Sequence, residues 1–294
     1  RKHIAVMLCV KGLSLVASLL YVPLMLHAVT KQEYGILLTL TSMIQWVSMM
    51  DIGLGNGLRN RLVEYRSAGN DNAAVEAISC CYAALAVYVG IICGAFLGLS
   101  HFVNWCSVFN TTQIDNSILI KLTGLVFLAF SGQFVLNLIN PILYAFQLPS
   151  YTSVIVLTTQ LLSLLSVWLI SSVFDNHSLV VIGAAISFIP PLVLAVSSII
   201  LYKTVLKSFK PRRDKVHFKS VKPILSLGIK FFILQIITIV LFQSNNIIIA
   251  QVADQETVVE YNIVYKYISI LSMIFIIIVT PVWSAVTDAY MKND

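Results

Sequence analysis

Charge is what this 294-residue chain has least of: Asp, Glu, Lys and Arg together make up 11% of it. A soluble domain carries about 25%. With 58% of its residues hydrophobic, a soluble fold would have too little polar surface to cover itself. The net charge of +6 is therefore no sign of a nucleic-acid partner, and none is expected. Cysteines are few and odd in number, at positions 9, 80, 81, 93 and 106, with no Cys-x-x-Cys pair. That argues against a disulfide framework and a thiolate metal site. The five histidines are scattered without a partner at ligand spacing, so neither a metal nor a cofactor is expected. The glycines of "DIGLGNGLRNRL" (Asp51–Leu62) alternate, but no strand–turn–helix unit surrounds them and no Lys-Ser/Thr follows, which excludes both the dinucleotide fingerprint and the P-loop.

What the chain does have is long apolar runs. A bilayer span needs about 20 mostly apolar residues. Eight stretches qualify, at 4–28, 36–56, 77–99, 118–146, 151–173, 179–202, 223–250 and 258–284. The first is too long for a signal peptide and lacks a cleavage site. The expected fold is an all-α polytopic membrane protein with about eight transmembrane helices. The chain starts at Arg1 and stops just past the eighth run, so it is expected to be a fragment of a longer protein.

Basic residues segregate by side. Arg1, Lys2, Arg59, Arg61, Arg66, the eight lysines and arginines between Lys203 and Lys222, and Lys292 all fall on one side of such a topology. The opposite loops hold Lys31, with Lys121 at a span edge. This bias predicts a cytoplasmic N-terminus. Three alternating glycines (Gly53, Gly55, Gly57) then read as a loosened helix exit, each weakening a helix by about 1 kcal/mol relative to Ala. Arg59 and Arg61 read first as anchors on the cytoplasmic side, with phosphate contact at the mouth as the alternative. Asp51 is placed to cap that segment or to pair with either arginine.

Two segments repeat weakly. Glu33-Tyr34 and Glu260-Tyr261 both precede a span, and "EYRSAGND" and "AYMKND" both follow one, at spacings of about 225–227 residues. The offset makes spans 7 and 8 counterparts of spans 1 and 2 in the same orientation, a parallel repeat. The expected organisation is a six-helix lobe over 1–202, a basic cytoplasmic linker over 203–222 beside anionic lipid headgroups, and the first two helices of a second lobe over 223–294.

Polar residues inside the spans form stripes. Gln133, Asn137, Asn140, Tyr144 and Gln147 fall within about 80° of one another on a helix of 100° per residue. Facing lipid they would be costly, so they face protein or water. Two readings stand, hydrogen-bonding glue between helices and the lining of a cavity, and Pro141 interrupts the same stretch. Lys11 shares a face with Ser14 and Ser18. Gln235, Thr238, Asn245 and Asn246 share an arc in span 7, and Asn262, Lys266 and Ser269 align in span 8. Lys11, Lys230 and Lys266 lie within spans, each without an obvious intramembrane carboxylate. A lysine at a helix centre costs about 2.5–3.5 kcal/mol on insertion scales. These three read either as snorkelling anchors or as a site for an anion.

"TKQEYGILLTLTSMIQWVSMMDIGLGNGLRNRL", "SLGIKFFILQI", "NNIIIAQ", "EYNIVYKYISI" and "TPVWSAVTDAY" resemble bacterial polysaccharide flippases of the O-antigen type, in the multidrug/oligosaccharidyl-lipid/polysaccharide exporter superfamily. The resemblance runs along essentially the whole chain. It implies two six-helix lobes around a cavity, of which four C-terminal spans are absent here. It also implies alternating-access transfer of undecaprenyl-diphosphate-linked oligosaccharide across the bacterial cytoplasmic membrane, for surface polysaccharide and lipopolysaccharide synthesis. A chain polymerase and glycosyltransferases are the implied protein partners. Where such flippases often read Asp-Asn, this chain has Asn245-Asn246, which weakens a cation-coupling carboxylate there. The candidate substrate-binding residues are Lys11, Arg59, Arg61, Gln133, Asn137, Asn140, Tyr144, Lys230, Gln235 and Lys266, chosen by position. None is assigned a catalytic role; a membrane polymerase or glycosyltransferase is the less favoured alternative, since it would need acid–base residues in a large outer loop and 100–117 offers only His101 and Asp115. A multidrug exporter is the other transport reading, and a non-transporting assembly subunit the remaining one.

Overall fold

The computed structural model describes residues 2–49, 53–173, 178–216, 237 and 244–292. Among them every regular element is helical. The helices are α1 (Lys2–Ala28), α2 (Lys31–Met49), α3 (Leu54–Ser67), α4 (Asp71–Ser100), α5 (Trp105–Val108), α6 (Asn116–Leu136), α7 (Ile139–Ala145), α8 (Pro149–Val173), α9 (Leu179–Lys203), α10 (Asn245–Val252) and α11 (Gln255–Lys292). By length and hydropathy, α4, α6 with α7, α8 and α9 are four helices able to cross a membrane, and α1 holds a shorter apolar stretch over Gly12–Ala28. The protein is a multi-pass helical membrane protein.

The segment after span 2 is more than a helix exit. It is α3, and its form follows from its pattern: Leu54, Leu58 and Leu62 repeat every four residues and are buried, while Arg59 and Arg66 fall on an exposed face. Gly53 just before it is left-handed (φ 71°), a conformation glycine reaches without a Cβ clash. Gly55 and Gly57 are buried helical residues that let α3 pack closely. At its C-terminus Gly69 is left-handed, Asn70 N–H donates to the Tyr65 carbonyl at 2.9 Å and Gly69 N–H to Arg66 at 3.1 Å, the double bond that ends a helix at glycine. Asn70 then caps α4, accepting from Ala73 N–H at 3.1 Å.

Span 4 is interrupted, as Pro141 implies, and consists of α6 and α7. Pro141 has no N–H, so the Asn137 carbonyl loses its ordinary helical partner. Asn140 N–H takes that carbonyl at 3.0 Å in a tighter turn, and α6 gives way to α7 at 137–138. The first part of the basic linker is also folded. Leu206 is fully buried, Phe209 meets Phe146 edge-on at 4.6 Å, and Arg212 N–H donates to Ser79 Oγ at 2.9 Å, which ties the strap after α9 onto α4 and α7.

Apolar packing concentrates where α6 meets α9 and α4. Leu122 and Ile182 are fully buried, and Phe96 stacks on Phe127 at 3.8 Å. A Cβ on Gly183 would overlap Leu122 Cδ1, so glycine sets the approach of α9 to α6. The α5 loop is pinned by Trp105, whose ring nitrogen donates to the Ser100 carbonyl at 3.1 Å, and by Asn116, which accepts from Trp105 N–H at 2.7 Å.

Candidate polar cavity

α1, α2, α6, α8, α9 and α11 enclose a cavity of about 490 Å³. Gln133 and Asn137 reach it from α6, and Lys266 from α11. They meet Ser18 and Tyr21 of α1 and Thr41 of α2 there. A smaller cavity of about 240 Å³ adjoins it through Tyr34, Leu38 and Lys266, and also carries Asn262 and Ser269. No carboxylate lines either space among the described residues.

Four of the hydroxyls there are donors already used. Ser18 donates to Leu15, Thr41 to Leu37 (2.7 Å), Thr159 to Ile155 (2.9 Å) and Ser187 to Gly183 (2.6 Å), each a carbonyl of its own helix. What they offer the cavity is acceptor lone pairs. The amides offer donors: Asn140 Nδ2 donates to Asn137 Oδ1, leaving Asn137 its own amide N–H pair. Two acceptors, Gln160 Oε1 and Asn140 Oδ1, are buried with no protein partner. Such an atom costs about 1–3 kcal/mol until something donates to it.

Of the stripe residues, Asn137, Tyr144 and Gln147 are exposed and Gln133 and Asn140 half-buried, while Leu138 and Ile142 between them are buried at 3% and 0% exposure. The stripe therefore survives the break at 137–138. At its far end the Arg59 guanidinium lies 5.4 Å from the Tyr144 ring centre, within cation–π reach. No described carboxylate pairs with Arg59, whereas Arg61 is bound to Glu64 at 2.6 Å. Arg66 stacks on Phe146 at 4.4 Å and donates to the Ala145 carbonyl, closing the end of α7.

Lys266 is half-buried, 5.8 Å from the Tyr21 ring centre, with no described carboxylate within 4 Å. Lys230, Gln235, Thr238 and Asp51 lie outside the described residues, as does the side chain of Lys11. The structure thus brings Gln133, Asn137 and Lys266 to one cavity and places Arg59 and Tyr144 together apart from it. Sequence reading missed Thr159, Gln160 and Ser163 of α8, although a glutamine inside a span is the same signal that marked α6. It also missed α9. There Pro190 and Pro191 deny the Ser187 carbonyl both of its ordinary helical donors, freeing a further acceptor on a cavity-lining residue.

Membrane-crossing helices around an internal chamber, whose mostly apolar wall carries neutral polar groups and one lysine, define a polytopic membrane protein. The chain belongs to the polysaccharide biosynthesis protein family, whose sequence profile matches residues 1–285. It is 23% identical over 281 residues to a Salmonella typhi protein provisionally named an O-antigen transporter, covering 94% of this chain and 62% of that protein. It is 21% identical over 275 residues to a Yersinia pseudotuberculosis protein provisionally named an O-antigen export protein, covering 92% and 61%. The chain thus spans about six-tenths of the length of these relatives. No solved structure matches it.

Proposed function

We propose that this chain is the larger part of a flippase that carries undecaprenyl-diphosphate-linked oligosaccharide across the bacterial cytoplasmic membrane by alternating access. The observation that carries the proposal is the chemistry of the cavity. Sugar hydroxyls both donate and accept, and the lining offers amide donors, hydroxyl acceptors and one buried acceptor, Gln160 Oε1, without a protein partner. Lys266 supplies a single positive charge for the anionic end of the substrate. Desolvating a phosphate is expensive, so compensating charge is needed where water is scarce. Lysine suits a passing ligand because it is a point charge on a flexible stem. Arg59, stacked on Tyr144, makes the first contact at the cytoplasmic mouth, and the stripe leads inward from it. Lys11, Lys230 and Gln235 complete the set as expected from sequence. An exporter of organic cations would want carboxylates in the lining, and the described lining has none.

The same proposal includes the two-lobe organisation, with 1–202 as one lobe, 203–222 as the bridge and 223–294 as the start of the second, and a cytoplasmic N-terminus. The turns support the parallel repeat. α1 and α2 are joined by two residues, 29–30, and α10 and α11 by two residues, 253–254, an offset of 224. Both helices after the turn are capped alike: Glu33 N–H donates to Thr30 Oγ1 at 3.3 Å and Thr257 N–H to Asp254 Oδ1 at 2.7 Å. This helix register is three residues shorter than the Glu-Tyr spacing of 227, so the repeated motif sits one turn deeper in α11 than in α2.

Complementation of a flippase-deficient strain tests the function. The full-length gene is expected to restore surface polysaccharide, and failure at normal membrane expression contradicts it. For topology, N110C and K215C in a background without native cysteines should label from opposite sides. Labelling of K215C by an impermeant reagent in intact cells contradicts the orientation and the lobe assignment.

A further inference from the structure

One face of α2 carries Lys31, Gly35, Thr39 and Ser42 at helical spacing, and each meets the α10–α11 hairpin. Lys31 Nζ donates to Glu260 Oε1 at 2.7 Å and lies 3.6 Å from Glu256. Gln255 is 2% exposed, and its amide is used at both ends: its oxygen accepts from Thr39 Oγ1 at 2.8 Å and its nitrogen donates to the Phe109 carbonyl. A Cβ on Gly35 would overlap the Gln255 main-chain carbonyl. One layer further along, Asn246 donates to Ser42 Oγ at 2.7 Å and Asn262 donates to Asn246 Oδ1 at 2.8 Å. Asn262 lines the smaller cavity together with Lys266. The α5 loop adds Asn110, which donates to the Ala250 carbonyl, and receives Gln251, which donates to Val108 at 2.6 Å.

We propose that this junction is the outer gate of the transport path, with the Gln255 amide as its closing element and Gly35 as its seat, and that it opens once in every cycle. The proposal rests on the transport reading above, including its orientation. Three features argue for a gate rather than a permanent joint. The contacts run along α2 from the turn at 29–30, beside a chamber whose own lining extends to Met25 and Tyr34 at that end, so they form its wall toward α10 and α11. Nearly all are neutral hydrogen bonds or an exposed ion pair, and water can replace each when the helices part. The α6–α9 seam, built on Leu122 and Ile182, has no such substitute and would expose apolar surface on opening. Finally, the whole seal depends on the missing side chain of Gly35. Only a bare backbone lets α2 and α11 approach closely enough for Gln255 to reach Thr39 and Phe109 together.

The test uses the full-length protein with its native cysteines replaced, a reporter N137C in the cavity, and a membrane-impermeant thiol reagent applied to the outer face of spheroplasts. G35A favours the α2 helix yet wedges the gate, so labelling of N137C from outside should rise several-fold. Bridging K31C and E260C with a short reducible cross-linker should abolish that labelling. In protein without the reporter it should also stop flipping, and reductant should restore flipping. Unchanged labelling in G35A at an unchanged unfolding temperature overturns the proposal, as does undiminished flipping in the cross-linked protein. If labelling responds as expected while the uncross-linked parent flips no lipid-linked glycan, the gate stands and the substrate reading falls.

Discussion

Lys31, at the start of α2, donates to Glu260 of α11 at 2.7 Å, joining residues 229 positions apart. The hydrogen bond to Glu260, reinforced by the negative charges of Glu260 and Glu256, raises the lysine above its usual 10.5. Six residues before Glu260, at the head of α11, hydrogen bonds from Thr257 hold the Asp254 carboxyl below its usual 3.8. A raised lysine contributes stability that is present below 10.5 and lost as pH climbs through its folded value. A lowered carboxyl contributes stability that is present above 3.8 and lost as pH falls through its folded value. The difference in unfolding temperature between wild type and K31M should therefore be flat from neutral pH up to 10.5 and shrink beyond it. The difference between wild type and D254N should shrink only below 3.8. A K31M difference that varied near neutrality would contradict the pairing.

The α6–α7 stripe makes a sharper prediction about water. Cysteines at Asn137, Asn140 and Tyr144 should react with a small aqueous thiol reagent, and cysteines at Leu138 and Ile142 should not, since those positions are 3% and 0% exposed. Equal protection of both faces would reduce the stripe to helix–helix hydrogen bonding.

The seam between α6 and α9 is tested by a double-mutant cycle. A methyl group at Gly183 has no room beside Leu122 Cδ1, so G183A should destabilise by about 1–3 kcal/mol. L122A alone removes a fully buried side chain and should cost about 2–5 kcal/mol. In the double variant the new methyl enters the space that leucine left, so the combined loss should fall short of the sum. Additive losses in thermal unfolding would show that the two residues are not in contact.

Hydropathy alone placed the four membrane-long helices well, because a bilayer span is defined by length and apolarity, both visible in one dimension. The expected runs at 151–173 and 179–202 match α8 and α9 almost residue for residue. The stripe was legible too, because Gln133, Asn137 and Tyr144 share one helix face whatever that face touches. The interruption by Pro141 was legible as well, and because proline acts through the carbonyl four residues back the break falls at 137–138. The segment of Arg59 and Arg61 read only as a loosened helix exit, because glycine and charge masked the Leu54, Leu58 and Leu62 repeat. The contacts of Gln255, Thr39 and Gly35 were out of reach. Each is an ordinary residue whose meaning lies in a partner more than two hundred positions away, and Phe109 contributes only its main-chain carbonyl.

The central claim is that the Lys266 cavity passes an anionic, lipid-linked glycan. The direct measurement is leaflet-to-leaflet transfer of a fluorescent undecaprenyl-diphosphate-linked oligosaccharide by the full-length protein in sealed vesicles, compared between wild type and K266Q at matched incorporation. A lysine within a span is costly unless it serves a partner, and no described carboxylate pairs with it. The account predicts rapid transfer by wild type and at least a tenfold slower rate in K266Q, roughly the effect of losing one charge-assisted contact of about 1.5–3 kcal/mol. Absence of transfer by wild type, or equal transfer by K266Q, would contradict it.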